Sequence, residues 1–380
     1  MNDPEKEEME SFYCTALGSG SRLEEERAAI PPDPNSSDED ILRPGSGDSD
    51  SGECESSPLS RIEAVIAGCG DLGSALGLIL AARGARVTGI RRSRSPLVAP
   101  LRTLSLDIAA LRPTEGARIA ALMRADIVVY ALAAGRREKD AYDKAYIEGV
   151  DALSRVLELR DTPVMRVFFV SSTSVYGECA GRWVDEDTPP QPQGFAGESV
   201  LAGERRMLAA PFPATIVRLG GIYGPGRSWL IDRVRRGGRC HCDPPRFTNR
   251  IHRDDAAHAI AHLVDLAVDR APRRSLADIY TLVDHEPAAE CEVMEWLAKR
   301  IGAPPVERIS GSESFDPTSS LRATGKRCRN ARLLSEGYAF RYPSYREGYR
   351  AVLAGEGVRY RPAKGVSSLN PALLESDPSS

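Results

Sequence analysis

The sequence predicts an α/β protein built on a doubly wound parallel sheet, with a small C-terminal α/β lobe. Three observations predict it. Short apolar runs of strand length alternate with helix-period segments from about residue 61 onward. A glycine turn, GCGDLG (68–73), sits between the first strand and the first helix, and a second apolar strand after that helix completes a βαβ unit. Past about residue 225 the alternation becomes irregular, as expected of a smaller lobe folded onto the main sheet.

In chain order, RIEAVIAG (61–68) reads as a buried strand, SALGLILAARG (74–84) as a helix with Ala75, Leu76, Ile79 and Leu80 at helical spacing, and ARVTGI (85–90) as the second strand. LRTLSLDI (101–108) and ADIVVYALAA (125–134) read as further strands, and residues 141–160 as one long helix. MRVFFVSS (165–172) is an apolar strand ending in hydroxyls, residues 177–197 a Pro- and Gly-containing loop, 196–209 a helix and PATIVRLG (213–220) a strand. A helix at 254–268, a strand at 279–284 and a helix at 288–301 complete the pattern. The expected organisation is an acidic tail (1–58), a Rossmann-type NAD(P)-binding domain (59–225), a substrate lobe intertwined with it (226–355) and a flexible tail (356–380).

The glycine turn carries the chemistry. Gly68 allows a tight turn, Gly70 lets the backbone approach a pyrophosphate, and Gly73 lets helix and strand pack closely; Asp71 and Leu72 lie between them at the helix N-terminus, where an anion is favoured. Eighteen residues after Gly73 an acidic side chain would hold the 2′-hydroxyl of NAD. This chain has Arg91 and Arg92 there, and a guanidinium can pair with a 2′-phosphate, so NADP is expected in preference to NAD. Asp107 and Ile108, ending the third strand, are expected beside the adenine. Ala131 and Ala133, ending the fourth, are expected to line the crevice.

Composition bounds the rest. Residues 1–60 hold sixteen Asp and Glu against four Lys and Arg, a net −12 in a chain of net −4, so the remainder carries +8. Such a segment buries too little apolar surface to offset its ordering entropy and is expected to be disordered, a solubilising tail, the alternative being a docking or phosphorylation segment for a protein partner. No run of 18 apolar residues and no export signal is present, so a cytoplasmic protein without membrane or nucleic-acid partners is expected. The eight cysteines are expected to be free thiols. Cys240-His241-Cys242 has no second ligand pair nearby in sequence, so no metal is expected.

GCGDLG, ADIVVYALAA, FFVSSTSVYG, GESVLAGE and RLGGIYGPG together resemble the short-chain dehydrogenase/reductase superfamily, in its extended or atypical branch, the NAD-dependent epimerase/dehydratase type, over about residues 61–350. The resemblance implies Ser172 as hydrogen-bond donor to a substrate oxygen, with Ser171 beside it at the cofactor. It also implies a phosphate-bearing or otherwise anionic small-molecule substrate held by Arg227, Arg246 and Arg250, and pairing of two copies through the helices at 141–160 and 196–209. One departure stands out. The family's catalytic tyrosine and lysine fall at Ala196 and Val200. Loss of a positioned acid/base costs about 10²–10⁴ in rate, and none of Tyr176, Glu198, Tyr223, His241 and His252 is an evident replacement. Three functions therefore stay open: an NADP-dependent oxidoreductase or epimerase-like enzyme, a non-catalytic NADP(H)-binding or redox-sensing protein, and an interaction protein using its acidic tail.

Overall fold

The computed structural model describes residues 58–269, 276–310 and 324–360. The acidic segment up to residue 57, with Cys14 and Cys54, and residues 361–380 lie outside them.

Seven parallel strands form one sheet: β1 (Glu63–Ala67), β2 (Arg86–Arg91), β3 (Arg102–Ser105), β4 (Ile127–Tyr130), β5 (Arg166–Ser172), β6 (Ala214–Leu219) and β7 (Ile279–Leu282). Their order is β7-β6-β5-β4-β1-β2-β3, so the chain winds one way from β1 to β3 and the other way from β4 to β7. The reversal lies between β1 and β4, the place where such sheets open a crevice at their carboxyl ends. The central strands read as unbroken apolar runs because both faces are covered. Alternate residues go to opposite layers. Ile66, Phe168 and Val217 pack with Leu76 and Leu80 of the helix Asp71–Ala82 and with Ile260 and Leu263 of Arg253–Asp269. Val65, Val128 and Phe169 pack with Leu153 and Val156 of Gly149–Glu158 and Met207 of Phe195–Ala209.

Some elements differ from the sequence reading. The third and fourth strands keep four residues each, and a 3-10 turn, Ile108–Ala110, follows the third. The long helix at 141–160 is interrupted: Lys139–Asp143 passes into a π turn, Lys144–Glu148, before Gly149–Glu158. The cause is a side chain from the neighbouring strand. The Gly149 amide donates to the Lys144 carbonyl, one residue further back than in an α-helix, and the Ala145 carbonyl thus released accepts the buried Tyr130 hydroxyl.

Beyond residue 225 a separate apolar cluster joins three helices, through Leu230 and Val234 of Trp229–Arg235, Val293 and Leu297 of Glu290–Ile301, and Tyr345 and Tyr349 of Tyr345–Leu353. The strand Arg239–Asp243 pairs in parallel with Glu307–Ser310 at its side. This packing corrects the expectation of free thiols. It brings Cys242 and Cys291 to a Cα separation of 5.5 Å, and their sulfurs are bonded. Cys69, Cys179, Cys240 and Cys328 are free.

Candidate functional site

At the carboxyl end of β1 the chain turns through Gly68, whose φ of +88° is a left-handed value that favours glycine. A Cβ there would lie 2.6 Å from the Ala131 carbonyl and the Leu132 amide, so a residue without a side chain lets the turn seat against the end of β4. A Cβ on Gly73 would lie 3.0 Å from the Ile66 side chain, which sets the close approach of helix to strand. Gly70 differs. A Cβ on it would meet only the Gly68 carbonyl oxygen, at 3.9 Å, so the backbone faces open space at the mouth of the helix. The first amides of that helix, those of Asp71, Leu72 and Gly73, have no carbonyl one turn back to donate to. The Leu72 side chain turns down onto the core.

Asp71 is more than a spacer. Its carboxylate accepts from Arg227 Nε at 3.1 Å, Arg253 Nη1 at 2.9 Å and the Tyr360 main-chain amide at 3.1 Å. Arg253 is buried, donates also to Asp254 and to the Val358 carbonyl, and lies over the Tyr360 ring. An anion brought to the turn therefore meets a carboxylate already matched by two guanidinium groups. Arg227, expected at the substrate, is committed to this cluster.

The other carboxyl ends place the remaining expected cofactor residues. Arg91 is half-buried and Arg92 exposed, the latter 3.8 Å from where a Gly135 Cβ would stand, so it reaches toward the loop after β4. Neither side chain forms a hydrogen bond or ion pair among the described residues. Asp107 pairs with Lys144 at 3.5 Å, and Ile108 is buried in the core, so only its main chain faces outward. The Ala131 amide completes the ladder to Ala67, while Ala133 is exposed.

The two serines ending β5 divide by strand alternation. Ser172 is half-buried and its Oγ accepts the Ser174 amide at 3.1 Å, which leaves its own proton to donate. Ser171 faces the opposite way and donates to Glu204, so its hydroxyl is not open to a ligand. Glu204 takes a bidentate pair from Arg218, at 3.0 and 2.7 Å, and Arg218 in turn lies over the Tyr176 ring. Sequence reasoning does not find this buried network, although a signal for it exists: a glutamate stands on the apolar face of one helix and an arginine inside the apolar run of β6.

The two positions where the sequence comparison expects the catalytic pair are unlike each other. Ala196 is half-buried, whereas Val200 is buried among Val175, Tyr176, Val184, Leu201, Val283 and Cys328. The Tyr176 hydroxyl is bonded to Thr281 at 3.2 Å and Tyr223 is pressed against His252 and Tyr349, so both tyrosines are packing residues. Burial pushes the His252 imidazole down to about 4; its Nδ1 accepts the Asp254 amide and its buried Nε2 has no partner among the described residues. Of the expected substrate arginines, Arg250 is buried, donating to the Thr248 carbonyl, and Arg246 sits 3.8 Å from Glu290. Arg246 thus already has a carboxylate neighbour, and Arg250 a carbonyl acceptor.

Known proteins similar to this chain share its family and its fold. Residues 64–238 match the model of the NAD dependent epimerase/dehydratase family. Protein YeeZ of Escherichia coli (strain K12) is 30% identical over 286 residues, 73% of this chain and 95% of YeeZ. A Methylobacillus flagellatus structure provisionally described as an NAD-dependent epimerase/dehydratase is 37% identical with a TM-score of 0.61, over 77% of this chain and 98% of that one. Two less similar structures share the fold: the Bordetella bronchiseptica enzyme WbmG in complex with NAD (18% identity, TM-score 0.62, 77% and 93% covered) and human epimerase family protein SDR39U1 with NADPH (19%, 0.59, 77% and 99%). With a glycine turn at the switch point of a seven-strand parallel sheet and a relative matched along nearly its whole length, the chain belongs to the NAD-dependent epimerase/dehydratase family.

Proposed function

We propose that the chain is an oxidoreductase of the epimerase/dehydratase type that binds NADP(H) and acts on a small anionic molecule without the family's tyrosine and lysine. The open backbone at Gly70, beside the first helix amides, which have no carbonyl one turn back to donate to, carries the reading. The nicotinamide would supply hydride exchange. The chain's own residues would do the rest: Gly68, Gly70 and Gly73 shape the turn, the amides of Asp71 and Leu72 face the pyrophosphate, Arg91 and Arg92 meet the 2′-phosphate, and Ser172 donates to the substrate oxygen. Arg227 and Arg246 join it as substrate contacts only by leaving Asp71 and Glu290.

Titration of the full chain with NADPH and with NADH, read by calorimetry, tests the reading. Binding of NADPH at least tenfold tighter, a difference of about 1.4 kcal/mol, is expected, and the Arg91→Ala/Arg92→Ala variant should lose that preference while keeping NADH. Absence of heat with either nucleotide refutes it.

A second reading, a binder that does not turn over, is favoured by Val200. A lysine there would carry its charge into an apolar cluster, so the usual proton-transfer pair cannot be restored by two substitutions alone. NADPH that stabilises the protein against heat and is not consumed by any carbonyl compound supports this reading over the first.

A further inference from the structure

The Cys240-His241-Cys242 run lacks a second ligand pair in its own stretch of sequence, and the fold supplies a third sulfur from 49 residues away. Cys240 and Cys242, two apart on a strand, project from the same face, and that face meets Cys291 near the start of the helix Glu290–Ile301. The Cys240 sulfur lies 3.5 Å from that of Cys242, and the three sulfurs are all within 4.8 Å of one another. Cys240 and Cys291 are buried and Cys242 is half-buried, so the cluster opens to solvent at Cys242 alone.

A structural crosslink needs two sulfurs. A third, buried at 3.5 Å, adds nothing to such a crosslink and is placed to exchange with it. Once the Cys242–Cys291 bond is opened, three sulfurs held this close can spread to the spacing a soft cation uses: Zn–S bonds of ~2.3 Å at tetrahedral angles put ligand sulfurs roughly 3.8 Å apart. The flanking guanidinium groups are held by carboxylates, Arg233 and Arg246 both on Glu290 and Arg308 on Glu295.

We propose that Cys240, Cys242 and Cys291 form a redox-gated site for a soft divalent cation such as Zn(II). In the oxidised state the Cys242–Cys291 bond occupies two of the three ligands and excludes metal. A dithiol reductant opens it: one thiolate attacks Cys242 at the solvent side, the Cys242–Cys291 bond breaks and Cys291 leaves as a thiolate that takes up a proton. The reductant's second thiol then displaces Cys242, so the reductant leaves as a disulfide and both cysteines are reduced by two electrons in all. The three thiols then bind the cation as thiolates, releasing three protons to solvent, with water as fourth ligand. Disulfide and metal alike tie the strand Arg239–Asp243 to the helix, so the lobe is stapled in either state.

The test uses the full chain, reduced with a dithiol, freed of it without air and titrated with Cd(II) alone, following the ultraviolet thiolate-to-metal absorption. Saturation at one equivalent is expected, with no absorption from the oxidised protein, at least tenfold weaker binding in Cys240→Ser, and no change in Cys179→Ser, which lies outside the cluster. Absorption equal in the oxidised protein or in Cys240→Ser, or none in the reduced protein, overturns the proposal. Should Cys240→Ser not fold, alkylation of reduced wild-type protein with and without one equivalent of Zn(II) decides by mass spectrometry. Cys240, Cys242 and Cys291 should be slowed together by at least tenfold, and an unchanged rate at any of the three counts against the site.

Discussion

Arg218 and Glu204 have side chains only 2% exposed, held by two parallel hydrogen bonds with Ser171 on one carboxylate oxygen and the Tyr176 ring beneath the guanidinium. Removing one partner of such a pair leaves a buried charge uncompensated. Glu204→Ala should therefore cost about 3–5 kcal/mol, read as a lower urea midpoint, and Glu204→Ala with Arg218→Met should recover much of it. A double variant as unstable as the single one would show that packing, not charge, dominates. At this scale the glycines are legible in the sequence, because a glycine after a first strand states its own backbone requirement. Ser171 and Ser172 are not, because which of two adjacent hydroxyls faces a crevice depends on the phase of the strand. Arg227 is not either, since its partner Asp71 is 156 residues away.

Among the elements, the helix Phe195–Ala209 approaches the π turn Lys144–Glu148 closely at Gly203. A Cβ on Gly203 would lie 2.4 Å from the Tyr146 carbonyl oxygen, a main-chain atom that cannot swing away. Gly203→Ala should lower stability by about 1–3 kcal/mol despite alanine's better helix propensity; an unchanged melting temperature would mean that the two helices slide apart freely. The existence of both helices is readable from apolar periodicity. The interruption is not, because its cause is the Tyr130 hydroxyl of another strand. Likewise the pairing of Arg239–Asp243 with Glu307–Ser310, and with it the sulfur cluster, comes from contacts that periodicity does not encode.

For the molecule as a whole, two buried groups set opposing pH dependences. Burial pushes the Asp284 carboxyl up to about 8, against which the Glu286 amide and Arg250 act only in part. Unfolded, it titrates near ~3.9. A raised folded value means its contribution is full below ~4 and is lost as pH rises toward about 8. His252 is the reverse, pushed down to about 4 from ~6.5, so stability falls as pH drops between those values. The two slopes cancel below ~6.5. Between pH ~6.5 and ~8 Asp284 dominates, so urea unfolding should show a loss of about 1–1.5 kcal/mol across that window, absent in Asp284→Asn. Equal slopes in both proteins would remove Asp284 as the cause. The sheet itself is legible from first strand to last, since unbroken apolar runs with crossover helices admit few arrangements.

The carboxylate of Asp71 accepts from Tyr360 and shares Arg253 with the Val358 carbonyl. A ribosome making this chain releases the first strand, turn and helix long before those residues exist. The nucleotide turn is thus drafted early and closed last, and a nascent chain halted near residue 350 should carry the sheet without the finished grip on its coenzyme.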